Sequence, residues 1–266
     1  MEQFQLYRGD CLEVMASLEL GSVDLTVTSP PYDNMRDYKG TSEDWGEDKW
    51  KEVIEGLFRV TKVGGAVVWN VNDKTIGGAK TCSSFRQALC FVERGFFLAD
   101  TMIWEKSGTS MGSQRLYYPN YEFMFVFSKG KHRTFNPIKD RKNVVTGSQT
   151  VGPGGLGSDG VSEKKKGSKT ITSANFGKRN NIWKYNPSQG SNKHGHPAPF
   201  PLPLAEDHIR TWSNPTEVVF DPFLGSGTTG VAAANLYRKF VGCERVGEYF
   251  DVAKERIEKG YSESLI

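Results

Sequence analysis

The sequence predicts an α/β fold: a mainly parallel sheet with helices on both faces, interrupted by one basic insertion. Three observations lead there. Short apolar strands alternate with stretches of helical periodicity along the 266-residue chain, the pattern of strand–helix–strand units. The segment Glu122-Phe123-Met124-Phe125-Val126-Phe127 is apolar almost without a break, as a strand covered on both faces must be. The turn Gly225-Ser226-Gly227 stands between an apolar strand and a small-residue helix. Such a turn has no Cβ atoms to hold a ligand away from the backbone.

The elements follow in order. Phe4–Arg8 reads as a strand and Leu12–Leu18 as a short helix, for which Asp10 is a natural N-cap. Val23–Val27, rich in β-branched residues and preceded by a Gly-Ser turn, reads as a buried strand. Asp48–Val60 carries Trp50, Val53, Ile54, Leu57 and Phe58 at helical spacing. Gly64-Gly65 then turns the chain into the strand Ala66–Val71. Ser83–Arg94 is a helix with Phe85, Ala88, Leu89 and Val92 on one apolar face, and the strands Leu98–Trp104 and Tyr121–Phe127 follow. Later, Leu202–Trp212 is a helix opened by a proline-rich run. Glu217–Phe220 is a strand, Val231–Ala234 a helix, Lys239–Cys243 a strand and Glu248–Lys259 a closing helix. No internal repeat is visible.

Composition sets three segments: 1–128, a basic insertion at 129–193, and 194–266. Lys129 to Lys193 holds fourteen Lys or Arg against three acids, Asp140, Asp159 and Glu163. Phe135, Phe176, Trp183 and Tyr185 are interleaved with these charges, a pairing that suits phosphate contact plus stacking. Gly152 to Lys169 lacks apolar periodicity and reads as a solvated flexible loop, although basic loops can order against phosphates. The net charge of +3 is too modest to reveal a nucleic-acid partner by itself. No run approaches eighteen apolar residues, and Met1-Glu2-Gln3-Phe4-Gln5 lacks a signal pattern. The expectation is a protein that stays in the cytoplasm, where it is made. Cys11, Cys82, Cys90 and Cys243 show no C-x-x-C pair, and His194, His196 and His208 lack a fitting set of partners, so no metal is expected.

Two motifs carry the chemistry. Thr28-Ser29-Pro30-Pro31-Tyr32 follows the strand Val23–Val27. The two prolines stop the strand and remove two N–H donors. A rim of acceptors remains, the Ser29 hydroxyl and the Ser29 and Pro30 carbonyls, beside the flat face of Tyr32. That rim suits a planar group bearing an exocyclic amine, such as adenine or cytosine. The second motif, Asp221-Pro222-Phe223-Leu224-Gly225-Ser226-Gly227-Thr228-Thr229-Gly230, joins strand to helix, and the next strand ends at Glu244. Glycine turn, helix, strand and acid make a nucleoside half-site that fits NAD and S-adenosylmethionine (AdoMet) equally well.

Together the motifs resemble the amino-directed DNA methyltransferases, which modify N6 of adenine or N4 of cytosine. The order, base loop before cofactor loop, resembles the permuted β group of that family. The resemblance implies a Rossmann-like AdoMet-dependent methyltransferase sheet with a basic target-recognition insertion. It implies that Ser29, Pro30, Pro31 and Tyr32 hold a flipped target base. Tyr7-Arg8-Gly9-Asp10-Cys11-Leu12 looks like the segment near the cofactor adenine, and His196-Pro197-Ala198-Pro199-Phe200-Pro201 like the one near its methionine end. The implied cofactor set is Asp10, Cys11, Phe200, Asp221, Phe223, Gly225, Ser226, Gly227, Thr228 and Glu244. Arg36, Tyr38, Lys164, Lys165, Lys166, Lys178 and Arg179 are the DNA-contact candidates. The expected partners are double-stranded DNA and a cognate restriction endonuclease, with the enzyme a monomer or homodimer. Ser before Pro-Pro-Tyr looks like the N4-cytosine members, with N6-adenine the alternative. No Pro-Cys dipeptide exists, which excludes C5-cytosine chemistry. An NAD-dependent dehydrogenase and a non-catalytic DNA-binding relative are the remaining alternatives; the first leaves Ser29–Tyr32 unexplained and the second leaves two intact loops without a use.

Overall fold

A computed structural model describes residues 3–31, 45–108, 117–144, 147–151, 155–156, 162–163, 169–187 and 200–263. The chain divides into two compact units, Met1–Asn136 with Asn181–Ile266, and Pro137–Asn180.

The larger unit begins with β1 (Phe4–Arg8), α1 (Cys11–Ser17), β2 (Val23–Thr28), α2 (Glu47–Val60) and β3 (Thr61–Val71). A small hairpin, β4 (Thr75–Ile76) and β5 (Ala79–Lys80), leads to α3 (Ser83–Arg94), β6 (Phe97–Lys106) and β7 (Tyr121–Ser128). The smaller unit contains β8 (Arg141–Lys142), β9 (Gly147–Val151), β10 (Gly155–Leu156), β11 (Ser162–Glu163), β12 (Lys169–Ser173) and β13 (Phe176–Gly177). The larger unit resumes with β14 (Ile182–Tyr185), α4 (Leu202–Trp212), β15 (Val218–Asp221), α5 (Thr228–Asn235), β16 (Lys239–Glu244) and α6 (Gly247–Glu263).

Its eight-stranded sheet runs β1-β16-β15-β2-β3-β7-β6-β14. Every neighbouring pair is parallel except the two made by β7. From β2 the chain moves to β3 on one side, whereas β15 and β16 build out on the other. Strand order therefore reverses between β2 and β15, and the loops leaving their carboxyl ends diverge to open a crevice, the usual ligand site of an open α/β sheet.

Alternation along the strands fills two cores. Val53, Ile54, Leu57 and Val60 of α2 and Phe91 of α3 pack with Trp69, Phe125, Phe127, Phe220 and Val241 on one face. Phe240, next to Val241 on β16, meets α5 and α6 on the other face at Gly230 and Ile257.

Three local expectations are corrected. Gly64-Gly65 lie inside β3 rather than before it; Gly64 sits at φ +85 and donates to the Lys129 carbonyl at 2.7 Å, as an irregular strand position that glycine tolerates. On α3 the buried residues are Ser83, Ser84, Gln87, Ala88 and Phe91, while Phe85, Leu89 and Val92 are 50%, 61% and 46% exposed. Polar anchors rotated the helix. Asp73 accepts from the Ser84 N–H at 2.9 Å and its hydroxyl at 2.8 Å, and Gln87 Oε1 accepts from Trp69 Nε1 at 2.8 Å. The stretch read as a flexible loop, Gly152 to Lys169, contains a short antiparallel ladder, β10 with β11, and is flanked by a second, β9 with β12. Thr150, Val151, Thr170, Ile171 and Thr172 of the flanking pair are residues that favour strands even without alternating polarity.

Trp183 and Tyr185, expected among the DNA-facing aromatics, belong to β14 in the main sheet, parallel to β6. Trp183 is 5% exposed and packs 4.7 Å from His208. Burial holds the His208 imidazole down at about 3, so it stays neutral.

Candidate active site

The two motifs meet through one buried carboxylate. Asp221, the last residue of β15, is 1% exposed. Its Oδ1 accepts from the Thr28 hydroxyl at 2.7 Å and from the Phe223 N–H at 3.0 Å. Its Oδ2 accepts from the Thr229 hydroxyl at 2.7 Å. One side chain thus ties the end of β2, where the Ser29 loop starts, to both sides of the glycine turn. Burial pushes the Asp221 carboxyl up, and the bonds from Thr28, Thr229 and Phe223 pull against it.

Ser29 and Pro31 line a single pocket with Phe223, Gly225, Asp10 and Glu244. Residues almost two hundred apart in sequence share it because β2 and β15 are neighbours. The turn inside the pocket is held from two directions. Glu244 accepts from the Gly225 N–H at 2.9 Å and the Val246 N–H at 2.8 Å. The Arg256 guanidinium of α6 donates to the Ser226 carbonyl. Gly225 and Gly227 take φ of +53 and +84, the left-handed region that a side chain disfavours.

The acids at the pocket differ in electrostatics. Burial raises the Asp10 carboxyl, but the Leu12 N–H and the Lys49 ammonium outweigh it and hold it below the ordinary carboxylate value. Asp10 Oδ1 caps α1 through the Leu12 N–H at 2.8 Å, and Oδ2 takes Lys49 Nζ at 3.2 Å. Among the described residues Glu244 has no cation paired with it, and burial raises it above the usual glutamate value despite its N–H partners. Burial also pushes the Cys11 thiol up to about 12 and the Cys243 thiol well up, so neither is a ready nucleophile. Among the described residues no group of His, Cys, Asp and Glu is placed to hold a metal ion.

The model of a DNA methylase family matches residues 23–255. The chain belongs to this family. A relative from Bacillus amyloliquefaciens, the orphan methyltransferase M.BamHII, is 48% identical over 243 residues, 89% of each chain. The type II methyltransferase M.BglII of Bacillus subtilis is 28% identical, over 94% of this chain and 67% of its own. Among solved structures, the Thermus thermophilus protein TTHA0409 complexed with S-adenosyl-L-methionine is 25% identical, covers 96% of this chain and 95% of that one, and superposes with a TM-score of 0.66. The PvuII cytosine-N4-specific methyltransferase, 22% identical over 98% of this chain and 92% of that one, shares the fold with a TM-score of 0.68.

The residues expected at the methylase site sort as follows. Asp10, Cys11, Ser29, Pro31, Phe200, Asp221, Phe223, Gly225, Ser226, Thr228 and Glu244 line the pocket. Pro30 is buried, between two residues that line the pocket. Gly227 instead caps α5, and a Cβ there would lie 3.0 Å from Ala253 of α6, so it serves helix packing. Asp221 spends its acceptors on the fold, as described above. Arg179 bonds Asp140 through Nε at 2.8 Å and its terminal nitrogen at 2.5 Å, which commits its charge inside the smaller unit. Lys178 is exposed there. Tyr32, Arg36, Tyr38, Lys164, Lys165 and Lys166 lie outside the described residues.

The sequence reading missed Trp45, Lys49, Arg245 and Tyr249, which also line the pocket. Trp45 just precedes the N-cap of α2 and Lys49 stands in its first turn, where no motif marks either of them. No helix among the described residues is long and apolar enough to cross a membrane.

Proposed function

We propose that this DNA methylase transfers a methyl group to N4 of a flipped cytosine in double-stranded DNA. One observation carries the reading: Ser29 and Pro31 stand in the pocket that the glycine turn, Asp10 and Glu244 also line. Base acceptors and cofactor groups therefore share one space. AdoMet fits this pocket, which offers aromatic walls, a backbone turn open to close approach and two carboxylates for donors of a nucleoside. Asp10 and Glu244 would hold the adenosine portion, and Phe223, Ser226 and Phe200 the remainder.

The AdoMet sulfonium supplies a methyl that is already electrophilic, so no covalent enzyme intermediate is required. The chain must align the amine with that methyl and draw the nitrogen lone pair out of the ring. The Ser29 hydroxyl and the Pro30 carbonyl accept from the two amine hydrogens, which favours a tetrahedral nitrogen. Tyr32 stacks on the base, whose extrusion from the duplex costs a few kcal/mol. The proposal extends to the smaller unit as the target reader, to a cytoplasmic enzyme working as a monomer or homodimer, and to a cognate restriction endonuclease as companion.

Expression in a methylation-deficient host, followed by sequencing that distinguishes modified bases, tests this reading. N4-methylcytosine at a defined site is expected. N6-methyladenine in its place would overturn the choice of base and leave the amino-methyltransferase chemistry standing.

A further inference from the structure

We propose that Trp45 is a cofactor-contact residue: its indole N–H donates to a ring nitrogen of the AdoMet adenine, next to the 6-amino group that donates to Asp10. The inference deepens the cofactor assignment above and rests on it.

Trp45 lines the pocket with Asp10 and Glu244 and is only 9% exposed. Its ring meets Phe223 edge-on, with centroids 5.3 Å apart and planes at 87°, so the indole forms part of the wall facing the glycine turn. Its Nε1 is buried and has no hydrogen-bond partner among the described residues. Buried polar atoms in folded proteins are nearly always paired, and an indole N–H can only donate. An acceptor on the ligand accounts for it.

Position narrows the acceptor. Trp45 immediately precedes Gly46, the N-cap of α2. Lys49, in the first turn of α2, bonds Asp10. The same short stretch therefore delivers the indole and the partner of Asp10 to one end of the pocket. Asp10, held ionised by the Leu12 N–H and Lys49 against its burial, is an acceptor only. Adenine presents one donor, the 6-amino group, flanked by two acceptors, N1 and N7. An acceptor beside a donor on the protein matches that edge, whereas a 6-oxopurine reverses the 6-position and loses the match.

Calorimetric titration of the full chain with S-adenosylhomocysteine and with its 1-deaza and 7-deaza analogues tests this, using wild type and Trp45→Phe. The phenylalanine keeps a ring against Phe223 but loses part of the indole together with the N–H, so the deaza comparison on both proteins isolates the hydrogen bond. The substitution should weaken S-adenosylhomocysteine binding roughly 10-fold, the usual scale for one lost hydrogen bond in a buried site. One deaza analogue should lose a similar factor on wild type and nothing further on the variant. Equal affinity of the two proteins for S-adenosylhomocysteine overturns the inference, as does an equal deaza penalty on both. Should the variant fail to fold, wild type decides alone: both deaza analogues binding as tightly as the parent overturns it. No binding of S-adenosylhomocysteine to wild type would remove the cofactor assignment itself.

Discussion

Ser29 and Glu244 carry the sharpest expectations, because each does a job that a neighbouring atom cannot take over. Removing the hydroxyl in Ser29→Ala leaves one amine hydrogen without its acceptor. Methyl transfer should slow by roughly 10- to 1,000-fold, the range of other catalytic hydrogen-bond losses, with AdoMet affinity unchanged. Tyr32→Ala should lose about 1–3 kcal/mol of base stacking and also keep the cofactor. Radiolabelled transfer to DNA measures both, and full activity in both variants would reduce Ser29–Tyr32 to a turn. Glu244 supplies a pH signature. Its carboxyl is raised above 4.5 by burial, and ribose hydroxyls prefer the ionised form as acceptor. AdoMet affinity should therefore be full above the raised value and fall as pH drops through it. Asp10, held below 3.8 by its partners, stays charged across that window. Titrations of wild type and Glu244→Gln separate the two acids, since the variant should bind weakly and without the drop. A drop of the same size in Glu244→Gln would assign it to another group.

At the scale of elements, the Thr28–Asp221–Thr229 brace holds the loop after β2 against the turn after β15. Thr28→Val keeps the shape and removes one donor from a buried carboxylate. Leaving a buried acceptor short costs about 1–3 kcal/mol, so a lower Tm is expected. Transfer should slow as well, because the base acceptors and the methyl would no longer be held in register. An unchanged Tm with unchanged rate would show that the brace is dispensable. The glycines of the turn divide by the same logic. Gly225 needs its positive φ, so Gly225→Val should abolish AdoMet binding through backbone strain as much as through blocked approach, with some loss of stability. Gly230 is a packing residue: a Cβ there would sit 2.3 Å from Ile257 Cδ1 and 2.8 Å from the Phe240 ring. Gly230→Ala should destabilise by about 1–3 kcal/mol, the usual cost of overpacking, a shift that thermal melting reads directly.

Over the whole molecule, the basic insertion is expected to supply DNA affinity mainly through phosphates. Replacing Lys164, Lys165 and Lys166 with Ala should weaken binding and flatten its salt dependence by up to about three phosphate contacts. An unchanged slope of log affinity against log salt would show that these lysines are merely solvated. Arg179 should behave differently. Its ion pair with Asp140 makes it a strut of the smaller unit, so Arg179→Ala is expected to act on that unit's stability before it acts on the salt slope.

The order of strands and helices was legible from the chain because apolar periodicity is a local property. So was the backbone of the two loops: proline stops a strand and glycine takes a positive φ wherever they occur. Pro30-Pro31 and Gly225-Ser226-Gly227 therefore announced themselves, and Asp10 showed its capping role beside Leu12. Whatever depends on which residues become neighbours was decided only by the tertiary structure. The exposed flank of α3 followed from Asp73 and Gln87 anchoring it, and periodicity counts apolar residues without seeing such anchors. Trp183 moved from the insertion to the sheet because β14 found β6, a pairing with no local signature. Asp221, which lines the pocket, also became a brace, since its partners Thr28 and Thr229 approach it only when β2 lies beside β15. Trp45 entered the pocket for the same reason: an indole is an ordinary core side chain until the fold leaves its N–H buried without a partner.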